Sequence, residues 1–206
     1  MTEIMGIVNL TPDSFWAASR VGPAEAGGRI RGMLDEGADI LDIGAVSTRP
    51  GAADVGVEEE WSRLRPVLPL LRGVRFSVDT VRAEIVRRVH AEAGPFIVND
   101  ISAGEDDPEM LPEVARLGLA YVAMHKRGNP RTMDALCDYP DGVVTEVLRY
   151  FREFSSRAES LGIRDWVLDP GFGFAKTEEQ NIELLEHLRE FSVFGRPILV
   201  GTADKR

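Results

Sequence analysis

The chain has 206 residues, 44% hydrophobic and 28% charged, an ordinary globular composition with room for one large domain or two small ones. Its net charge of −10, with Lys and Arg dispersed, leaves no basic stripe to neutralise phosphates, so nucleic acid is not an expected partner. The single cysteine, Cys137, excludes an internal disulfide, and with no signal peptide or membrane span legible the expected compartment is the cytoplasm.

The first apolar run, "IMGIVNL" (4–10), predicts a buried strand. "NLTPDSF" (9–15) then sets Asn, Thr, Asp and Ser around a proline at its C-terminal tip, the end where α/β folds build active sites. The same residues serve equally as a turn whose Asp caps the next helix. "ADILDIGA" (38–45) is a second strand, followed by "STRPGA" (47–52), a loop carrying the anion-capable guanidinium of Arg49. "VEEEW" (57–61) reads as a solvated helix start, with acids favoured in the first turn. A third strand, "RFSVDT" (75–80), precedes a helix over 84–94 whose stripe is Ile85, Val86 and Val89. "FIVNDI" (96–101), "YVAMH" (121–125), "WVLDP" (166–170) and "PILVGT" (197–202) continue the strands, with helices predicted over 106–118, 141–162 and 178–191. "DPGFGFAK" (169–176) is a Gly-rich turn: backbone can approach a ligand there, Phe174 can stack, and Lys176 adds a cation, although a flexible turn explains the glycines as well. His125 ends a strand and can face its mouth, whereas His90 and His187 lie in helical patterns. Cys137, Trp16, Trp61 and Trp166 read as structural.

Apolar strands alternating with amphipathic helices, with no linker between them, predict a single α/β domain over 1–206 with a parallel sheet. Seven strand signals fit a (β/α)8 barrel lacking its last β/α unit, or an open doubly wound sheet. The tips favour the barrel, because chemically capable residues end nearly every strand: Asn9, Asp42, Asp79, Asn99 with Asp100, His125, Asp169 and Lys205. Each of Asp79, Asn99, Asp100 and Asp169 could cap a helix. Gathered at one barrel mouth they suit the paired N–H groups of a flat heterocycle. No zinc spacing is present, so an expected metal is a hard cation such as Mg2+, held partly by substrate phosphate.

"MGIVNLTPDSF", "DILDIGAVSTRPGA", "SVDT", "IVNDISAG", "MHKRGNPRTM", "DPGFGFAKTEEQNIELL" and "PILVG" together resemble the signature blocks of the dihydropteroate synthases, over essentially the whole chain. The resemblance implies a TIM barrel that joins dihydropterin pyrophosphate to p-aminobenzoate, a sulfonamide target in folate synthesis. It implies Asn9 as a Mg2+ ligand, and Thr11, Pro12, Asp13, Ser14 and Phe15 as a loop closing over both substrates. Thr48, Arg49, Pro50 and Phe174 would line the aminobenzoate site, and Asp79, Asn99, Asp169 and Lys205 the pterin pocket, with Met124 against the ring. Losing pyrophosphate leaves a pterin cation that Asp79 and Asp169 would stabilise while Arg49 eases the anion away. No protein nucleophile is needed. The sequence departs from the family at Val46, at Ala203 and Asp204, where Ser and Arg are expected, and in stopping before the late Arg-x-His. A barrel without its last strand has unpaired edges, so an open, C-shaped form is expected, either marginally stable or relying on a partner chain to cover the gap, unless these residues are part of a longer chain; a homodimer is the expected assembly. Two other functions fit less of the sequence: a pterin-binding protein without turnover, and the barrel that binds methyltetrahydrofolate for methyl transfer.

Overall fold

The structure, a computed structural model, describes residues 2–10, 23–46, 55–128 and 132–201. The chain divides into two compact units, Met1–Asn99 and Asp100–Arg206. Within each unit neighbouring strands are consecutive in the chain, as repeated β/α units require.

In the first unit β1 (Met5–Asn9), β2 (Ile40–Gly44), β3 (Phe76–Asp79) and β4 (Ile97–Asp100) pair in parallel. β2 is buried at every position, the continuous apolar signature of a strand covered on both faces. β1 differs from expectation. It pairs with β2 on one side, and Ile7 stays 51% exposed, so "IMGIV" is half-covered rather than buried. The helices are α1 (Pro23–Asp35), α2 (Val57–Leu64) and α3 (Ala83–Ala93). α3 buries Ile85, Val86 and Val89, the stripe that its spacing predicts. α1 is absent from the sequence pattern because Gly27, Gly28 and Gly32 interrupt it, each costing helix propensity of about 1 kcal/mol relative to Ala. Glu60 corrects the solvated reading of "VEEEW": it is fully buried, ion-paired to Arg82, with Oε1 lacking a hydrogen bond.

The second unit holds α4 (Met110–Leu117), β5 (Ala120–Met124), α5 (Val143–Leu161), β6 (Trp166–Asp169) and α6 (Glu178–Glu186). α5 repeats apolar residues at helical spacing, burying Val143, Val147, Phe151, Phe154 and Ala158, and stops at Gly162 in the left-handed conformation. Phe154 stacks on Tyr121 of β5 and meets Trp166 of β6 edge-on, so this helix face forms the core beside both strands. α4 and α6 are shorter than predicted: residues 106–109 form a turn, and a 3-10 turn over Leu188–Phe194 follows α6. The seventh apolar run forms one bridge, Leu168 to Ile198, rather than a strand among the described residues.

Candidate active site at the strand ends

Register places four predicted or neighbouring residues at one level of the first unit. Asn9 pairs with Gly44, Gly44 with Asp79, and Asp79 with Asn99. Gly44 has a steric reason to lack a side chain: a Cβ there would lie 3.1 Å from Asn9 Oδ1 and 3.6 Å from Asp79 Oδ2. Asn9 is exposed, and Asp79 and Asn99 are half-buried. The cap position of α3 is Arg82, whose N–H donates to Thr80 Oγ1, and that of the next helix, over Met110–Leu117, is Glu109, so neither Asp79 nor Asn99 is the cap of the helix that follows it.

One level deeper, and on the same face because strand side chains alternate, Asp42 pairs with Ser77. The Asp42 carboxylate is buried. Its Oδ1 accepts from Ser77 Oγ at 2.5 Å and its Oδ2 from Asn99 Nδ2 at 3.1 Å. Burial pushes this carboxyl above its ordinary 3.8, and the Ser77 and Asn99 hydrogen bonds oppose that push. Sequence reasoning marked Asp42 as a strand-end residue and missed Ser77. The available signal was a polar residue two positions before a functional one, in "DIG" and "SVD".

In the second unit Met124 and Asp169 are register partners at the ends of β5 and β6. Met124 is buried. Asp169 Oδ1 accepts from Gly171 N at 2.8 Å, so this carboxylate shapes the turn after β6 rather than capping α6, whose cap is Thr177. Lys176 is not the ligand-facing cation suggested by its place in the Gly-rich turn. It is 8% exposed, and its Nζ contacts Gly171 O at 3.0 Å, Phe174 O at 2.9 Å and His125 Nδ1 at 3.0 Å. His125 is accordingly neutral: burial first, then the Lys176 and Arg127 charges, lower its pKa from 6.5 to about 2. Phe174, whose carbonyl Lys176 holds, is half-buried. Asp100, at the end of β4, is structural. It is fully buried and accepts from Ser102 N, Ser102 Oγ, Gly104 N and Tyr121 Oη. Thr11, Pro12, Asp13, Ser14, Phe15, Thr48, Arg49, Pro50 and Lys205 lie outside the described residues.

A family model described as pterin binding enzyme matches residues 5–206. The dihydropteroate synthase of Synechocystis is 41% identical over 99% of this chain and 72% of its own length; that of Escherichia coli K12 is 43% identical over 98% and 73%. This chain belongs to the dihydropteroate synthase family of pterin-binding enzymes. A Yersinia pestis dihydropteroate synthase solved with a sulfonamide drug complex matches at TM-score 0.92 and 39% identity, over 98% of this chain and 75% of that one. A Xanthomonas albilineans dihydropteroate synthase solved with 4-aminobenzoic acid matches at TM-score 0.87 and 40% identity, over 99% and 74%. These likenesses bear out the TIM-barrel fold class. In this dihydropteroate synthase family member the family match runs through both units, and the level Asn9–Gly44–Asp79–Asn99 is its polar strand-end row.

Proposed function

We propose that the chain condenses 7,8-dihydropterin pyrophosphate with p-aminobenzoate to give 7,8-dihydropteroate and pyrophosphate. The observation that carries this is the row of amide and carboxylate oxygens at the ends of β1, β3 and β4 in a chain whose relatives are dihydropteroate synthases. Asp79 and Asp169 are the anions whose field favours the cationic pterin left when pyrophosphate departs, a charge that exists fully only along the reaction path. Asn99 binds the ring through its amide, and Met124 packs against the ring. Lys205 holds a ring acceptor, and Arg49 receives the leaving pyrophosphate. Thr11, Pro12, Asp13, Ser14 and Phe15 close over the substrates, and Thr48, Pro50 and Phe174 bound the aminobenzoate. The pyrophosphate leaves with the C–O electron pair, and the neutral aniline nitrogen then attacks the exocyclic carbon of that cation and loses its proton.

Asn9 is the metal-site residue of this reading. Among the described residues no group of three or more His, Cys, Asp or Glu side chains could hold a metal. An exposed amide oxygen with no protein cage fits Mg2+, which takes much of its octahedron from phosphate and water. When bound, Mg2+ would supply charge neutralisation at the pyrophosphate. The protein is further proposed to be a cytoplasmic homodimer, supported by its lone cysteine and its family resemblance; no helix among the described residues is long and apolar enough to cross a membrane.

Calorimetry with dihydropterin pyrophosphate and Mg2+, followed by product assay on adding p-aminobenzoate, tests the proposal. Binding and dihydropteroate formation are expected. Binding without product would favour the inert pterin-binding protein that Ala203 and Asp204 raise as a second reading; no binding would overturn both.

A further inference from the structure

We propose that Asp42 is a positioning residue that sets ligand specificity at one remove: its carboxylate fixes the Asn99 amide with Oδ1, not Nδ2, left to accept from a ligand N–H. Asp42 and Ser77 are register partners one level below Asp79 and Asn99, so the Asn99 side chain reaches back to a buried carboxylate. An ionised carboxylate only accepts hydrogen bonds. It therefore takes the Asn99 NH2 at 3.1 Å, and the reverse amide orientation would press two acceptor oxygens together. Ser77 removes the remaining ambiguity by donating to Oδ1 at 2.5 Å, which leaves Oδ2 for Asn99. Among the described residues Asn99 Oδ1 has no hydrogen bond. Position 99 thus presents an acceptor, complementary to a ring edge that bears N–H donors.

The inference rests on the pterin reading and extends it: Asp42, buried with its two oxygens engaged by Ser77 and Asn99, selects for the 2-amino donor of the ring through Asn99. The test compares binding of 6-hydroxymethylpterin with that of 6-hydroxymethyllumazine, in which an oxo acceptor replaces the 2-amino donor. The wild-type protein is expected to prefer the pterin. In Asp42→Asn the new amide can either accept from or donate to Asn99, so the orientation is no longer dictated. The preference should fall by about five- to tenfold, the worth of one hydrogen bond of about 1–1.4 kcal/mol. Ser77→Ala keeps the acceptor toward Asn99 and should keep the preference, even though it removes a hydrogen bond of the same buried cluster. Asp42→Asn weakening both ligands equally, with an unchanged ratio, would show a merely structural carboxylate and overturn the proposal. Side-chain NMR of the wild-type protein needs no variant: the Asn99 NH2 protons should be slow to exchange and shifted by the carboxylate. Fast-exchanging Asn99 protons would also overturn it. A wild-type protein that binds neither probe removes the pterin reading, and the amide spectrum still decides whether the lock exists.

Discussion

His125 and Lys176 show how a residue acquires a role from its surroundings. The Lys176 ammonium donates toward His125 Nδ1 and two loop carbonyls, so the imidazole must keep that nitrogen unprotonated. Burial and the Lys176 and Arg127 charges hold its pKa near 2, against 6.5 when exposed. Below pH 6.5 the unfolded chain therefore gains a proton that the native chain refuses. Stability should fall with pH by up to about 1.4 kcal/mol per unit through this one site. Asp42 and Asp100 act in the opposite sense: burial raises their carboxyls, and the penalty this imposes at neutral pH is relieved as pH drops toward 3.8. Comparing wild type with His125→Gln in urea melts between pH 7 and 4.5 isolates the imidazole. The variant should show a flatter acid limb by about one proton; parallel limbs would mean that His125 protonates in the fold. Lys176→Met leaves the buried His125 nitrogen without its donor, at a cost of about 1–3 kcal/mol for an unsatisfied buried group, and releases the Phe174 carbonyl from the ammonium. Because Phe174 belongs to the proposed aminobenzoate wall, the KM for p-aminobenzoate should rise more than that for the pterin substrate; equal changes in both would place the effect in folding alone.

At the scale of elements, the turn between β6 and α6 is held at both ends. Asp169 accepts from Gly171 N, and Gly171 sits at φ +73°, where a Cβ would come 2.0 Å from the His125 carbonyl oxygen. Only glycine fits there. At the far end Thr177 caps α6 and Gln180 returns the bond to the Thr177 N–H, a reciprocal pair satisfying two helix-terminal donors. Thr177→Ala should cost about 1 kcal/mol, or about 2–4 °C in melting temperature at this chain size. Gly171→Ala should cost more and should also abolish turnover, since the clash is with backbone that cannot yield locally. A folded, active Gly171→Ala protein would show that the turn has another conformation available. These constraints were half-legible in sequence: "DPGFGFAK" announces a tight turn by its glycines, but not that Lys176 is spent inside it. Side-chain destination depends on which carbonyls the fold brings near, and no local pattern records that.

For the whole chain, alternating apolar runs and amphipathic stretches carried the β/α order, because periodicity is imposed by burial on one face or both. Among the described residues six of the seven apolar runs form strands, and α1 was hidden by its glycines. The row Asn9–Gly44–Asp79–Asn99 could be expected from strand ends, but the Asp42–Ser77–Asn99 cluster could not, since it depends on register across three strands. What the whole molecule adds is linkage: a ligand that binds only the folded chain stabilises all of it. Dihydropterin pyrophosphate at 100 times its Kd should add about 2.7 kcal/mol, a rise of about 5–11 °C in melting temperature for a chain of this length. With Asn9 as the sole described protein ligand proposed for Mg2+, chelating the metal should weaken binding of the pyrophosphate ester. It should leave 6-hydroxymethylpterin, which carries no phosphate, unaffected, because the metal acts through phosphate oxygens. Melting curves with each ligand, with and without EDTA, separate the two sites of action. If EDTA abolishes the shift caused by 6-hydroxymethylpterin as well, then the metal holds the ring site itself, and Asn9 is not where it acts.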